Sequence, residues 1–422
     1  MALSDIKDVE MSVRRPDLDR TSSLEEGPMP RPSRPRTRRQ PGFTLVELLV
    51  VILIIGILVA LLVPVIAGAV GTARNAQVTG EITILQQALA SFNNANGFYP
   101  PSRIILNESL SLDQYPVNNT QTIAAASNFA WLGTVNPRAY SSPQDITIGQ
   151  LAQRSVRFLR KMFPKMGTPN QQLWHDFNGN GVRDQGWILL EGHECLAFFL
   201  GGVPNATGTG FGMSGFSKNP QFPFLSPDAT SAAAQNRTQP LFEFRAERLV
   251  DEDGDGMPGY IDPRNGGSDA RFYGYFSAYD SNGYDPNDVN MVLRDFASAD
   301  EAYQRAFSVN FPLAVSVVQG RNVTGSPGPN PYTASEPVPT PQGNRVPPVV
   351  YINKESYQLI SAGTDGIFGP GGQYLAESSG DKLPSAVAGL STWPNTLPSV
   401  TPDRARYAER DNLSNFTRST LE

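Results

Sequence analysis

The residues best suited to chemistry are carboxylates in two loops and one carboxylate at the edge of an apolar run. Asp251-Glu252-Asp253-Gly254-Asp255-Gly256 puts acids at loop positions 1, 3 and 5, glycine at 6, and Asp262 at position 12. Alternate residues can turn oxygens toward one centre, glycine permits the sharp turn, and calcium accepts roughly 6–8 oxygens. Pro258 and Pro263 argue against a flanking helix, so the expected site is a calcium loop outside an EF-hand. A weaker copy runs from Asp176 through Asn178, Asn180 and Gly181 to Asp184, with Trp187 where a bidentate acid would close the site. Asp, Asn and Gly also build ordinary turns, and that reading stays open for both loops. Catalysis has weaker support. The two histidines, His175 and His193, each precede an acid, and Cys195 follows the second pair. No HExxH motif or CxxC pair accompanies them. Cys195 lies in a hydrophobic stretch, where a thiol is more often a small apolar residue than a nucleophile. The chain is therefore not expected to be an enzyme.

Glu47 opens a different line of reasoning. It precedes Leu48–Val70, 23 residues without a charge. As a helix that run is about 35 Å long, enough for a hydrocarbon core of roughly 30 Å. Five arginines (Arg31, Arg34, Arg36, Arg38, Arg39) crowd the N-terminal flank. Positive charge beside a span stays on the cytoplasmic side, so the C-terminal bulk is expected outside. A secretory signal has a shorter apolar core and a small-residue cleavage site, which the patch Ala60–Ala69 would have to supply. Glu47 either acts inside the membrane or lies at the interface, where a helix N-terminus favours an anion. Pro64 removes the hydrogen bond to the Ala60 carbonyl and should kink or loosen the helix.

The sequence Gly42-Phe43-Thr44-Leu45-Val46-Glu47-Leu48 resembles the prepilin processing motif of type IV pilins and type II secretion pseudopilins. Gly56 and Pro64 fall where that family's helix commonly carries glycine and proline. The resemblance implies cleavage by a prepilin peptidase after Gly42 and methylation of the new amine on Phe43. It implies that Glu47 guides docking into a helical filament, assisted along the helix by Gly56 and Pro64. Forty-two residues is long for this family's leader, and Met11 and Met29 are alternative starts. The Asn96-Gly97-Phe98-Tyr99-Pro100 ending resembles the major-pseudopilin junction between helix and head. Tyr351–Tyr374 resembles that family's terminal strand and Asp-Gly loop, which commonly binds calcium. Asp365 matches the loop aspartate, whereas the later acidic ligands have no clear counterpart. The resemblance covers residues 38–101 and 350–375, leaving a large insertion between them.

The expected fold is α+β and pilin-like: a long membrane-spanning N-terminal helix packed on a small antiparallel sheet, with a loop-rich insertion. The expected divisions are a cytoplasmic leader (1–42), an assembly helix (43–70), its continuation (71–97), an enlarged head (98–345) and a C-terminal strand region (346–422). Apolar residues at Val78, Ile82, Leu85, Leu89 and Phe92 form one helical stripe, stopped at Gly97. A helix is expected over Ile148–Met162, and a buried one over Trp187–Leu200. Strands are expected near Phe242–Leu249, Phe272–Tyr279 and Val309–Val318, with irregular loop over 205–240. Eight prolines between Pro327 and Pro348 predict an extended connection rather than a core element. A formal charge of −6 argues against nucleic acid as a partner, and the single cysteine excludes an internal disulfide.

The function expected from the resemblance is that of a filament subunit of a type II secretion-like system, held in the inner membrane with its head in the periplasm. Its partners would be the prepilin peptidase, membrane lipid before assembly, other pseudopilins and copies of itself, and an inner-membrane assembly platform. The alternative is a type IV pilus subunit, or a minor pilin whose insertion is a binding module. Calcium is the only cofactor suggested.

Overall fold

In the computed structural model, the described residues are 43–115, 148–184, 186–207, 210–227, 232–251, 254–263, 272–278, 283–284, 331–335, 350–364, 366, 368, 371–384, 406, 409–417 and 419–421. The residues at Gly42, Asp253, Asp365 and the strand expected at Val309–Val318 lie outside them. The chain divides into two units, Met1–Leu62 and Val63–Glu422.

Helix α1 runs from Leu45 to Asn96 and is continuous through Pro64. The proline therefore does not break the helix. Within the first unit, large apolar side chains stand open to the surroundings, from Val50 at 44% exposure to Phe43 at 83%. Among the described residues α1 alone is long and apolar enough to cross a membrane.

In the second unit the expected stripe of α1 is buried: Val78, Ile82, Leu85, Leu89 and Phe92 are each at most 3% exposed. They join the main hydrophobic core. The helix stops as its sequence requires. Gly97 takes φ +78, the left-handed conformation that glycine adopts without Cβ strain, and its N–H bonds the Asn93 carbonyl at 2.7 Å.

The head is α+β, built from small antiparallel sheets. Strand β1 (Ile104–Asn107) pairs with β2 (Trp187–Leu190), and β3 (Pro204–Thr207) with β4 (Gly210–Met213). A two-residue pair, β5 (Leu249–Val250) and β6 (Gly259–Tyr260), flanks the loop that begins at Asp251. The largest sheet has β8 (Tyr357–Ser361) between β7 (Gly274–Ser277) and β9 (Leu413–Ser414). Helix α2 (Ile148–Met162) falls where the sequence predicts it. Helix α3 (Gly192–Gly201) is buried along its whole length, and α4 (Ala232–Gln235) is a single short turn.

Four sequence expectations need correction. Trp187–Leu200 is a strand followed by a helix, because Trp-Ile-Leu-Leu is covered on both faces. Ile188 and Leu190 enter the main core, while Trp187 and Leu189 enter a second cluster with Tyr115 and Leu151. A strand apolar on both faces loses its alternation and reads like a helix. Residues 205–240 are not all irregular, since β3 and β4 form a hairpin there. Phe242–Leu249 is mostly non-strand: Ala246–Arg248 is a 3-10 turn and pairing begins only at Leu249. The proline-rich connection touches the core, with Tyr332 and Thr333 buried. The Gln358 side chain accepts from the Tyr332 N–H at 2.7 Å and donates to its carbonyl at 2.8 Å. Within the enlarged head, β7 pairs with β8 of the C-terminal region.

Candidate functional site

Two regions hold the candidate residues: the start of α1, and the paired acidic loops of the head. At the helix start, Thr44 occupies the cap position and Glu47 stands three residues later. The Thr44 N–H and hydroxyl both donate to Glu47 Oε2 at 2.8 Å, and the Glu47 N–H donates to Thr44 Oγ1 at 3.2 Å. This reciprocal arrangement satisfies backbone donors that otherwise have no partner at a helix N-terminus. Thr-x-x-Glu is a capping spacing that the sequence reading of Glu47 missed. Phe43 lies just outside it and is exposed. No side chain or neighbouring backbone lies within 4 Å of a Cβ placed on Gly56.

The first acidic loop is held by the end of β1. Glu108, fully buried, accepts the Phe177 N–H on Oε1 and the Asp184 N–H on Oε2, each at 2.8 Å. One side chain thus ties both ends of the loop. Asn107 adds a bond to the Gly186 carbonyl and Ser109 one to the Asp184 carbonyl. Burial pushes the Glu108 carboxyl up to about 8, against the two backbone bonds, which favour its charged form. The charges of Asp176 and Asp184 add to the rise. No motif marks Glu108 in the sequence; only the pairing of β1 with β2 brings it there.

Inside the loop, the Gly181 N–H donates to Asp176 Oδ2 at 2.9 Å, while Asp176 Oδ1 is buried without a hydrogen bond of normal geometry. Burial raises the Asp176 pKa, and the Gly181 bond, the Ser226 hydroxyl and the Gly179 and Asn180 amides oppose that shift. The side-chain amides of Asn178 and Asn180 both donate to Asp184 Oδ2 at 3.0 Å. Gly179 and Gly181 take φ +70 and +73, which the reversal of the chain demands.

The second loop repeats the first contact. Asp251 Oδ2 accepts the Gly256 N–H at 2.9 Å, and its Oδ1 accepts the Gly254 N–H at 2.8 Å. Asp255 Oδ1 accepts the Met257 N–H. The two loops, more than 70 residues apart in sequence, touch directly: Asn178 Nδ2 donates to the Asp255 carbonyl at 3.2 Å. A Cβ on Gly256 would lie 2.7 Å from that of Asn178. Asp262 is not with them. It is buried and accepts a bond from the Ser361 hydroxyl of β8. Among the described residues, no three acidic, histidine or cysteine side chains converge to hold a metal by themselves.

The histidines belong to the core. His175 bonds the Gly167 carbonyl through Nε2 at 3.0 Å and packs among Phe177, Phe222 and Phe224. His193 packs on Phe272. Burial pushes them down to about 4 and about 3, so both are neutral near pH 7. Cys195 is buried, and its thiol approaches the Leu190 carbonyl at 3.7 Å.

A further polar cluster escaped the sequence reading. Glu81 of α1 receives Arg248 through two bonds of 2.7 Å, plus hydroxyl bonds from Tyr260 at 3.2 Å and Tyr273 at 2.6 Å. Arg248 stacks over the Tyr260 ring at 4.2 Å. Burial pushes the Tyr260 hydroxyl up to about 12, and the Glu81 charge adds to the shift. Glu81 adjoins the apolar stripe at Ile82, but its partners lie some 170 residues away.

The molecule is thus an α+β head carried with an apolar helix whose N-terminus is capped by Thr44 and Glu47. Residues 37–63 match the family model for the prokaryotic N-terminal methylation motif. The match supports the type IV pilin-like class and processing of the precursor by a prepilin peptidase. Comparisons with curated proteins and with solved structures return no match.

Proposed function

We propose that this chain is a pseudopilin-type filament subunit of a type II secretion-like system. The observation that carries the reading is the coincidence of the methylation motif with the exposed apolar residues from Phe43 to Ile66, at and along the start of α1. That much apolar surface needs either lipid or other helices around it. The precursor resides in the inner membrane as a single span, with residues 1–42 cytoplasmic and the head periplasmic. Cleavage after Gly42 frees the Phe43 amine for methylation. In the filament, Glu47 exchanges its bonds to Thr44 for the cationic Phe43 terminus of a neighbour, in surroundings where charge pairing is strengthened by low dielectric. Copies of the chain, other pseudopilins and an inner-membrane assembly platform are its partners. The chain works by assembly and not as a catalyst.

The test is processing. With prepilin peptidase co-expressed, the wild type yields a mature N-terminal peptide beginning with methylated Phe43, measured by mass spectrometry. Gly42→Ala remains full length in the membrane fraction. Normal maturation of that variant refutes the assignment. The extent of the head supports a second reading, a specialised subunit of a surface pilus; filaments on the cell exterior rather than in the periplasm decide for it.

A further inference from the structure

We propose that the 176–184 loop is a calcium site, completed by Asn178, Asn180, Asp184 and the Val182 main-chain carbonyl around Asp176 Oδ1, and that it holds Asp255 and Gly256 against it. This inference is independent of the assembly reading. Three features converge on it. The Gly181 N–H holds Asp176 Oδ2, while Oδ1 is buried with no hydrogen bond of normal geometry, although the Ser226 hydroxyl and the Gly179 and Asn180 amides lie close to the carboxylate. A carboxylate residue 1% exposed with one orphaned oxygen is costly unless something positive meets that oxygen. Next, the Asp184 carboxylate lies in the same loop, its Oδ2 turned to the side-chain amides of Asn178 and Asn180. Arg237 reaches Asp176 electrostatically, yet it also donates to the main-chain carbonyls of Ser214, Gly215 and Leu225. Last, the candidate ligands are all oxygens, several of them uncharged amide and carbonyl groups.

That donor set selects the ion. Zinc prefers imidazole and thiolate, and the nearby His175 directs Nε2 to the Gly167 carbonyl. Magnesium demands strict octahedral geometry and retains its waters, whereas calcium tolerates an irregular shell of roughly 6–8 oxygens. Asp184 Oδ2 accepts the amides of both Asn178 and Asn180, and a bound cation would take over the balancing of that carboxylate. Glu108 acts as a positioning residue: both its oxygens are committed to the N–H groups of Phe177 and Asp184. Through Asn178, ion binding also fixes the Asp255 carbonyl.

The test uses the full-length protein in detergent, with calcium alone as the probe. Isothermal calorimetry should show a saturable calcium site. Terbium should bind with luminescence sensitised by Trp174 and Trp187, which flank the loop in sequence. Asp176→Asn and Asp184→Asn should each lose at least tenfold in affinity, and Asp251→Asn should stay within threefold of wild type. Calcium should raise the wild-type melting temperature over that in chelator, and the rise should vanish in Asp184→Asn. This last comparison keeps the test valid if one variant folds poorly. Absence of calcium heat and of terbium luminescence in wild type overturns the proposal. So does a loss of binding in Asp251→Asn with Asp176→Asn unaffected.

Discussion

Removing the carboxylate of Glu81 tests whether the head is fastened to α1 by charge pairing. Glu81 and Arg248 have side chains 14% and 12% exposed, so solvent screens them little. The Glu81→Ala change strips the guanidinium of both carboxylate bonds and the hydroxyls of Tyr260 and Tyr273 of their acceptor. Arg248 keeps bonds to the Ile261 carbonyl, which moderates the loss. Leaving one member of a buried ion pair unpartnered costs about 3–5 kcal/mol. Against a domain stability of about 5–15 kcal/mol, that raises the unfolded fraction by roughly two to four orders of magnitude. Glu81→Gln keeps the shape and one acceptor, so its cost should be about 1–3 kcal/mol. The double change Glu81→Met with Arg248→Met should recover most of the loss, because no unpaired charge remains buried. Urea unfolding of the detergent-solubilised protein, followed by tryptophan fluorescence, measures each value. A Glu81→Ala loss below about 0.5 kcal/mol, or a double variant no more stable than the single one, refutes the reasoning.

Glu47→Ala should still be inserted and cleaved but should yield few filaments in a pelleting assay; normal filaments would remove the docking role. Acid should destabilise the head through His193. Its folded pKa is lowered to about 3, so the unfolded chain alone takes up that proton as pH falls below about 6.5. Stability then drops by about 1.4 kcal/mol per pH unit for this residue, and His193→Gln should show a shallower loss between pH 6 and 4.5 in urea titrations. An unchanged slope would rule out that origin. Gly202→Ala should destabilise by about 2–4 kcal/mol, through left-handed strain and overpacking. Gly202 has φ +91, and its Cβ would lie 2.2 Å from the Gly215 backbone. A melting temperature equal to wild type would contradict the close approach.

Elements with a local cause are legible in the residues alone. Charge asymmetry and 23 uncharged residues mark the apolar helix, the 4-3-4-3 stripe from Val78 to Phe92 marks its buried face, and Gly97 marks its stop. Helix α2 was legible for the same reason. The processing motif lies in consecutive residues, and so do the Asp-Asn-Gly patterns of the two loops. Whatever depends on long-range pairing emerges only when the chain folds. Trp187–Leu190 became a strand only because β1 pairs with it and apolar clusters cover both faces. Glu108 carries no local signal, yet strand pairing sets it beneath the first loop. Asp262 fitted a ligand pattern by spacing, but Ser361 lies within hydrogen-bond reach and takes it elsewhere. Glu81 looked like a polar neighbour of the stripe until folding brought Arg248 and two tyrosines to it. Helix period and capping are written in residues three or four apart. The partner of a buried charge is written only in which distant strands share a core.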